Sequence, residues 1–537
     1  MSFDWRAGYP SVRLPVFARN IVSTSHPLAA QVGLLLLQKG GNAVDAAIGA
    51  AAAMTVLEPC SNGLGSDAFC ILWDGQELHG LNASGPAPAA WTPDYFKKKY
   101  GAGARQPPMR GWDSVTVPGA VAAWAELSGR FGKLGFSDLL APAIAIAERG
   151  YAVPLVVQEK WTAAVTDLKD LPGFAEVFMP GGRAPNVGER FEFKGAARAL
   201  TLIAETRGRA LYGGEIAAAA AAHAARHGGA MQVADFEAYS PEWVEPIGMD
   251  VYGHRLHQIP PNGQGIAALI ALGILQHVDV AAHAVDSAAG QHLQIEAMKL
   301  AFADTYAHVA DPIAMRRSAG QMLDPTYLKK RAALIDPKRA QVFGEGHLDR
   351  GGTIYLTAAD ERGMMVSFIQ SNYMGFGSGV VVPEWGLSLQ NRGHAFSLDP
   401  ASPNCVAPRK RPFHTIIPGF LTKDGLPQMS FGVMGGNMQP QGHLQTLVRM
   451  LVYGQQPQAA CDAPRWRFNQ GLSINVEAAM PSATALKLRE LGHQIEVIQD
   501  SYQDFGAGQF IWRLGDPAVE GYVAASDPRR DGQAAGY

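Results

Sequence analysis

Residues 349–360 read DRGGTIYLTAAD, and the chemistry on offer there belongs to Thr353. A threonine hydroxyl is a weak nucleophile that needs a base. No histidine, lysine or cysteine stands directly beside it. One arrangement needs no such helper: if the peptide bond before the threonine is cut, its own α-amine becomes the base. A free α-amine titrates at about 7.7–8.0, so a useful fraction is unprotonated near neutral pH. Gly351 and Gly352 then have a purpose. A hydroxyl attacking its own preceding carbonyl needs strained backbone, which glycine adopts at low cost. Without that chemistry Thr353 is an ordinary strand residue, since threonine suits strands.

A second glycine pair, Gly435 and Gly436 in SFGVMGGN, directly follows a strand pattern. A turn there could present backbone N–H groups to a developing oxyanion; a plain turn explains the pair equally well. The cluster NGLGSDAF, residues 62–69, lacks the third glycine of a dinucleotide fingerprint and follows a helix rather than a strand, so it reads as a tight turn. His414, in KRPFHT, reads as a structural or surface histidine rather than a base. Phosphate-binding P-loop, H-E-x-x-H, G-x-S-x-G and EF-hand patterns do not occur.

The elements that must position these residues are legible in outline. In TIYLTAAD, alternation puts Thr353, Tyr355 and Thr357 on one strand face and Ile354 and Leu356 on the other. Toward the N-terminus, HPLAAQVGLLLLQKGG predicts a helix closed by Gly40 and Gly41. NAVDAAIGAAAAMTVLEP predicts a second, capped by Asn42 with Asp45 at its third position and stopped by Pro59. AFCILWDGQELHGLNAS predicts a hairpin. Residues 113–150 and 195–230 carry helical patterns, and AAGQHLQIEAMKLAFADTYAHVADP predicts a long amphipathic helix. Residues 313–350 are polar with weak periodicity and read as a linker. Short strands then alternate with turns, and two helical patterns follow, LQTLVRMLVYG and ATALKLRELGH. This mixture predicts a layered α/β architecture.

Composition bounds the remaining classes. The 537 residues are 47% hydrophobic and 17% charged, a globular balance with room for a large core. The formal net charge of −3 and the absence of a basic stripe argue against nucleic acid as a partner. Cys60, Cys70, Cys405 and Cys461 match no zinc spacing and are expected to be free, mostly buried thiols. The N-terminus has no apolar core of a signal peptide, and the longest apolar run, 46–57, is too short to span a bilayer. A cytoplasmic protein with no membrane partner is expected.

Taken together, the motifs resemble the γ-glutamyltransferases, members of the N-terminal nucleophile hydrolases. The likeness is carried by GGNAVDAAIGAAAAMTVLEPCSNGLGSDAF, VPGAVAAWAEL, LLAPAIAIAERGYAV, IPPNGQG, MKLAFADTYAHVADP, GGTIYLTAADERGMMVSFIQSN, APRKRPFHTIIP, MGGNMQPQGH and DAPRWRF. The resemblance implies a four-layer αββα sandwich and a precursor that cuts itself at Gly352–Thr353. Residues 1–352 would form a large chain and 353–537 a small chain of one body. It implies Thr353 as nucleophile and base, Gly435 and Gly436 as the oxyanion hole, and Ser371 as a supporting hydroxyl. Neither metal nor organic cofactor is implied; the partners would be a small amide and the two chains themselves, and a higher oligomer is possible.

The departures concern the substrate. Members acting on γ-glutamyl compounds hold the α-carboxylate with an arginine shortly before an Ala-Pro-Ala segment; here Ser84 stands before Ala87-Pro88-Ala89. They hold the α-amine with an aspartate before Phe-Ser; here Ala395 precedes Phe396-Ser397. Their paired serines become His414 and Thr415, which with Arg392 are the substrate-binding candidates. Arg392 is either a surface or structural arginine or a replacement carboxylate anchor. The pattern resembles a branch that includes oxamate amidohydrolases, so a small carboxylate-bearing amide is the expected substrate. The alternatives are γ-glutamyl hydrolysis or transfer, and an inactive relative that keeps the fold as a structural or binding protein.

Overall fold

The structure is a computed structural model that describes residues 4–5, 11–343, 352–500 and 505–537. Gly351, half of the proposed hinge, lies outside the described residues.

Two seven-stranded sheets form the centre. The first runs, edge to edge, through residues 16–18, 522–526, 508–513, 426–433, 419–423, 254–258 and 247–251. The second runs through 533–536, 21–24, 352–359, 365–373, 67–73, 78–83 and 242–244. Every pairing in both is antiparallel.

Three apolar cores surround these sheets. One joins the helices Pro27–Gln38, Ala43–Leu57, Ala120–Phe131 and Phe136–Arg149 to Ile354, Leu356 and Phe368 of the second sheet. Another joins the helices Gly265–Leu275 and Ala288–His308 to Leu421, Met429 and Phe431 of the first. The third draws on both sheets, with Phe69, Tyr355 and Ile369 meeting Phe420, Ile511 and Tyr522. The expected alternation is therefore present. Ile354 and Leu356 face helices, whereas Tyr355 enters the third core and Thr357 Oγ1 meets Ser430 Oγ at 2.6 Å on the other sheet.

Local signals hold at the predicted places. Asn42 and Asp45 form a reciprocal capping box, and the Gly40 and Gly41 amides close the preceding helix on Leu37 and Leu36 carbonyls. The hairpin of 67–73 and 78–83 is formed, and all four cysteines are free. No helix among the described residues is long and apolar enough to cross a membrane.

Two expectations are corrected. Residues 313–335 are not a linker: the helices Ala319–Met322 and Pro325–Ala332 send Met322 and Leu328 into the second core. Residues 336–343 are tied down as well, with Lys299 Nζ donating to the Gln341 carbonyl and the Gln341 amide donating to Glu296. Residues 344–350 lie outside the described residues. The helix Ala288–His308, expected to be amphipathic, is buried on all sides from Gly290 to Phe302. Its polar residues bond inward; Lys299 Nζ, for example, sits 2.7 Å from Glu296.

A third, three-stranded sheet (466–470, 473–477, 494–498) abuts the helix Met438–Leu447. Gln441 accepts from the Phe468 amide at 2.7 Å and donates to its carbonyl at 3.2 Å. Gln445 does the same for Trp466, at 3.1 and 2.9 Å. Four helical residues rise about 6.0 Å and two strand residues about 6.6 Å, so two glutamines one turn apart match alternate residues of the strand edge.

Candidate active site

Thr353 lies in the strand Gly352–Ala359 opposite an irregularity in its neighbour. Gly352 pairs with Tyr373 and Ile354 with Gln370, so Ser371 and Asn372 together face Thr353. Such a β-bulge re-aims side chains. Directly after it, Tyr373 takes φ +78°, an uncommon backbone conformation for a non-glycine residue.

The bulge turns Ser371 Oγ toward the junction. It accepts from Thr353 Oγ1 at 3.2 Å and from the Tyr373 amide at 2.7 Å, and donates to the Gly352 carbonyl at 2.6 Å. Two acceptances and one donation use the whole capacity of a hydroxyl, which fixes the direction of the line: Thr353 to Ser371 to the carbonyl of Gly352. Thr353 itself is 2% exposed.

The glycine before it serves a different purpose from the expected strain. Gly352 is absent from the positive-φ residues. A Cβ on it would lie 3.1 Å from the Cys60 carbonyl oxygen and 3.3 Å from Ser61 Cα, so the residue is small because other backbone passes close by.

Gly435 and Gly436 do require glycine, with φ of +118° and +60°. They lead into the helix Met438–Leu447, and among the described residues their amides donate to no other group. Free amides at a helix N-terminus favour negative charge. Gln439, on the first turn of that helix, was not singled out from the sequence. It is fully buried, and its Nε2 stands 3.5 Å from Thr353 Oγ1. Gln264, in IPPNGQG, ties the turn to the substrate-binding candidates by donating to the Gly436 carbonyl at 3.0 Å and the Thr415 carbonyl at 2.5 Å.

Arg392 is fully buried, which removes the surface reading. One terminal nitrogen donates to Thr415 Oγ1 at 2.7 Å, and the guanidinium lies 4.6 Å from the Tyr373 ring centroid. Among the described residues its Nε and other terminal nitrogen have no partner. Burial pushes its pKa down to about 10, with the Asp67 carboxylate opposing. A desolvated guanidinium with two unpartnered N–H sites is suited to a carboxylate.

His414 is buried and turned to Asp67, with Nε2 at 3.0 Å from the carboxylate. The other Asp67 oxygen accepts from the Gly85 and Gly119 amides. Burial pushes Asp67 up to about 7, against the pull of Arg392, and holds His414 neutral, well below its ordinary value. Asp67 also pairs with Ser371 across the sheet. Asp67 was passed over inside a glycine-rich stretch; its signal was a lone acid opening an apolar strand.

At the positions that depart from the family pattern the side chains are uncharged, although the Ser84 carbonyl accepts from Arg411 Nε at 3.0 Å. Ser84 Oγ donates to Asn82 at 2.7 Å, and the Ala395 carbonyl accepts from Asn404 at 2.6 Å. At Ala395 a cavity of about 210 Å³ is lined by Tyr306, Tyr373, Asn404, Phe413 and Asn437, among others, and among the described residues by no acid. Two larger clefts, of about 510 and 500 Å³, flank the helix Lys194–Thr206 and share no lining residue with that cavity.

The sequence model of the family described as gamma-glutamyltranspeptidase matches residues 29–537. The glutathione hydrolase-like YwrD proenzyme of Bacillus subtilis is 35% identical, over 96% of this chain and 98% of its own length. The oxamate amidohydrolase proenzyme of Klebsiella pneumoniae subsp. pneumoniae is also 35% identical, over 95% of this chain and 97% of its own. Among solved structures, a cephalosporin acylase from Bacillus halodurans is 47% identical with a TM-score of 0.93, covering 100% of this chain and 99% of that one.

Proposed function

Because the chain belongs to the gamma-glutamyltranspeptidase family, we propose that it is a self-processing amide hydrolase whose nucleophile is Thr353. The observation that carries the reading is the line from Thr353 Oγ1 through Ser371 Oγ to the Gly352 carbonyl oxygen. It holds the attacking hydroxyl beside the bond to be cut and polarises the carbonyl that must accept the electrons.

Cutting at Gly352–Thr353 gives chains 1–352 and 353–537, and the three cores support a four-layer αββα body shared by both. In the mature enzyme the α-amine of Thr353 takes the proton from its own Oγ as Oγ bonds to the substrate's amide carbon. The amides of Gly435 and Gly436 receive the oxyanion. The amine leaves with a proton returned from the α-ammonium, and water then resolves the ester.

Arg392 holds a carboxylate of the acyl group, and an acid-free cavity offers no charged partner to an α-ammonium. That combination favours small acid amides of the oxamate type over γ-glutamyl compounds. A longer carboxylate-bearing acyl group is the second reading, favoured by the aromatic walls Tyr306, Tyr373 and Phe413, which a two-carbon acid would not fill.

The test is a denaturing gel of the purified chain and of Thr353→Ala. Two fragments from the former and one intact band from the latter are expected; a split at Gly352 in the alanine variant would sink the nucleophile. Ammonia release from oxamate, set against turnover of a γ-glutamyl anilide, tests the substrate.

A further inference from the structure

Gln439 is placed so that only one end of its amide can face the nucleophile. Its Oε1 accepts from the Ile417 amide at 2.8 Å, which leaves Nε2 as the atom 3.5 Å from Thr353 Oγ1. The side chain is fully buried and sits on the first turn of the helix that follows Gly435 and Gly436. The Thr353 hydroxyl is committed to Ser371 as a donor, so the lone pairs of Oγ1 are what Nε2–H meets.

We infer that Gln439 is a further catalytic residue, whose side-chain N–H stabilises Thr353 Oγ as it departs from the acyl-enzyme. The inference rests on Thr353 as nucleophile and adds a role the proposed function does not contain. In that step a water oxygen bonds to the acyl carbon while its proton passes to the α-amine of Thr353. The carbon–Oγ bond then breaks, Oγ leaves with the electron pair, and the α-ammonium returns the proton to it. Gln439 keeps its own hydrogen throughout and contributes a hydrogen bond that strengthens as charge gathers on Oγ. The ester left by attack on Gly352 would be hydrolysed in the same way, so maturation draws on the same donor.

Gln439→Glu tests donation apart from structure. A carboxylate oxygen still accepts from the Ile417 amide, but the atom facing Thr353 can no longer donate unless protonated. With N-(4-nitrophenyl)oxamate and a glutaryl anilide as probes, steady-state turnover should fall about tenfold to a hundredfold, the worth of a hydrogen bond to a charged atom. Acyl-enzyme should accumulate on the fragment that begins at Thr353, read by intact mass. The deficit should shrink as the pH is lowered and the glutamic acid regains a proton. If neither probe is turned over, the rate of self-cutting is the readout, with the same slowing and the same recovery at low pH expected. Wild-type rates, or a loss that neither accumulates acyl-enzyme nor responds to pH, would overturn the role. The thermal midpoint, compared with wild type, separates these effects from misfolding. Thr353→Ala run beside it separates the two claims. Cutting in that variant removes the nucleophile assignment, whereas an intact Thr353→Ala beside a wild-type-like Gln439→Glu removes Gln439 alone.

Discussion

Arg392 lies over the ring of Tyr373, its guanidinium carbon 4.6 Å from the ring centroid, with two of its nitrogens unpartnered among the described residues. Tyr373 is also the residue at φ +78° that closes the bulge around Thr353. The proposed anchor and the proposed nucleophile are thus set by one backbone irregularity.

A buried charge without a charged partner in contact is costly to the resting protein. Arg392→Met, close in volume and neutral, should raise stability by about 1–4 kcal/mol. It should also weaken binding of carboxylate-bearing amides by about 1.5–3 kcal/mol while leaving self-cutting intact. Thermal melts, KM and the two-band gel measure the three effects; a melting point below wild type would contradict the account of Arg392.

Ser371→Ala removes the donor to the Gly352 carbonyl. Cutting should slow by about 10²–10³, as for loss of an oxyanion donor, and Ser371→Thr should restore most of it. Time courses of the two fragments decide the point, and unchanged cutting in the alanine variant would exclude Ser371 from the step.

Gly352→Ala would place a methyl 3.1 Å from the Cys60 carbonyl oxygen, so either that backbone or the Gly352 carbonyl must move. Slower cutting is expected, yet each molecule that does split should turn over substrate at the wild-type rate. Turnover normalised to the split fraction checks this separation.

Burial raises the Asp67 carboxyl from 3.8 to about 7, so the folded state holds that proton more tightly than the unfolded chain. The sign follows from linkage: between about pH 4 and 7 the folded state binds more protons, so this group's contribution to stability declines as pH rises and is flat above 7. Asp67→Asn should remove that decline. Melting points across pH 4–8 for both proteins measure it, and parallel curves would show that Asp67 titrates normally.

What was legible in the sequence follows periodicity and local chemistry. The alternation in TIYLTAAD, the Asn42–Asp45 capping box and the 67–83 hairpin depend on residues a few positions apart, and all are present. The 313–335 segment was misread because Met322 and Leu328 are sparse anchors among lysines and arginines, and a helix docked by few side chains has little periodic signal. Within the proposed site, Thr353 and its glycine could be singled out because the chemistry proposed for them is contained in adjacent residues. Asp67, Gln264 and Gln439 were not. Their partners are His414, Thr415 and Thr353, each brought together by folding over many intervening residues. The crowding of Gly352 by the Cys60–Ser61 backbone could not be read, since close approach of a remote backbone leaves no local trace.

The paired glutamines Gln441 and Gln445 give the helix behind the Gly435–Gly436 turn a single seat. A slip of one residue along the strand would present carbonyl to carbonyl and amide to amide, forfeiting four hydrogen bonds at once. Placement of the turn is therefore discrete: the helix is in its notch or out of it, with no intermediate drift. Both halves of that notch lie after residue 352, so severing the chain before Thr353 would not loosen it. The part that must hold an ångström-scale tolerance carries its own ruler.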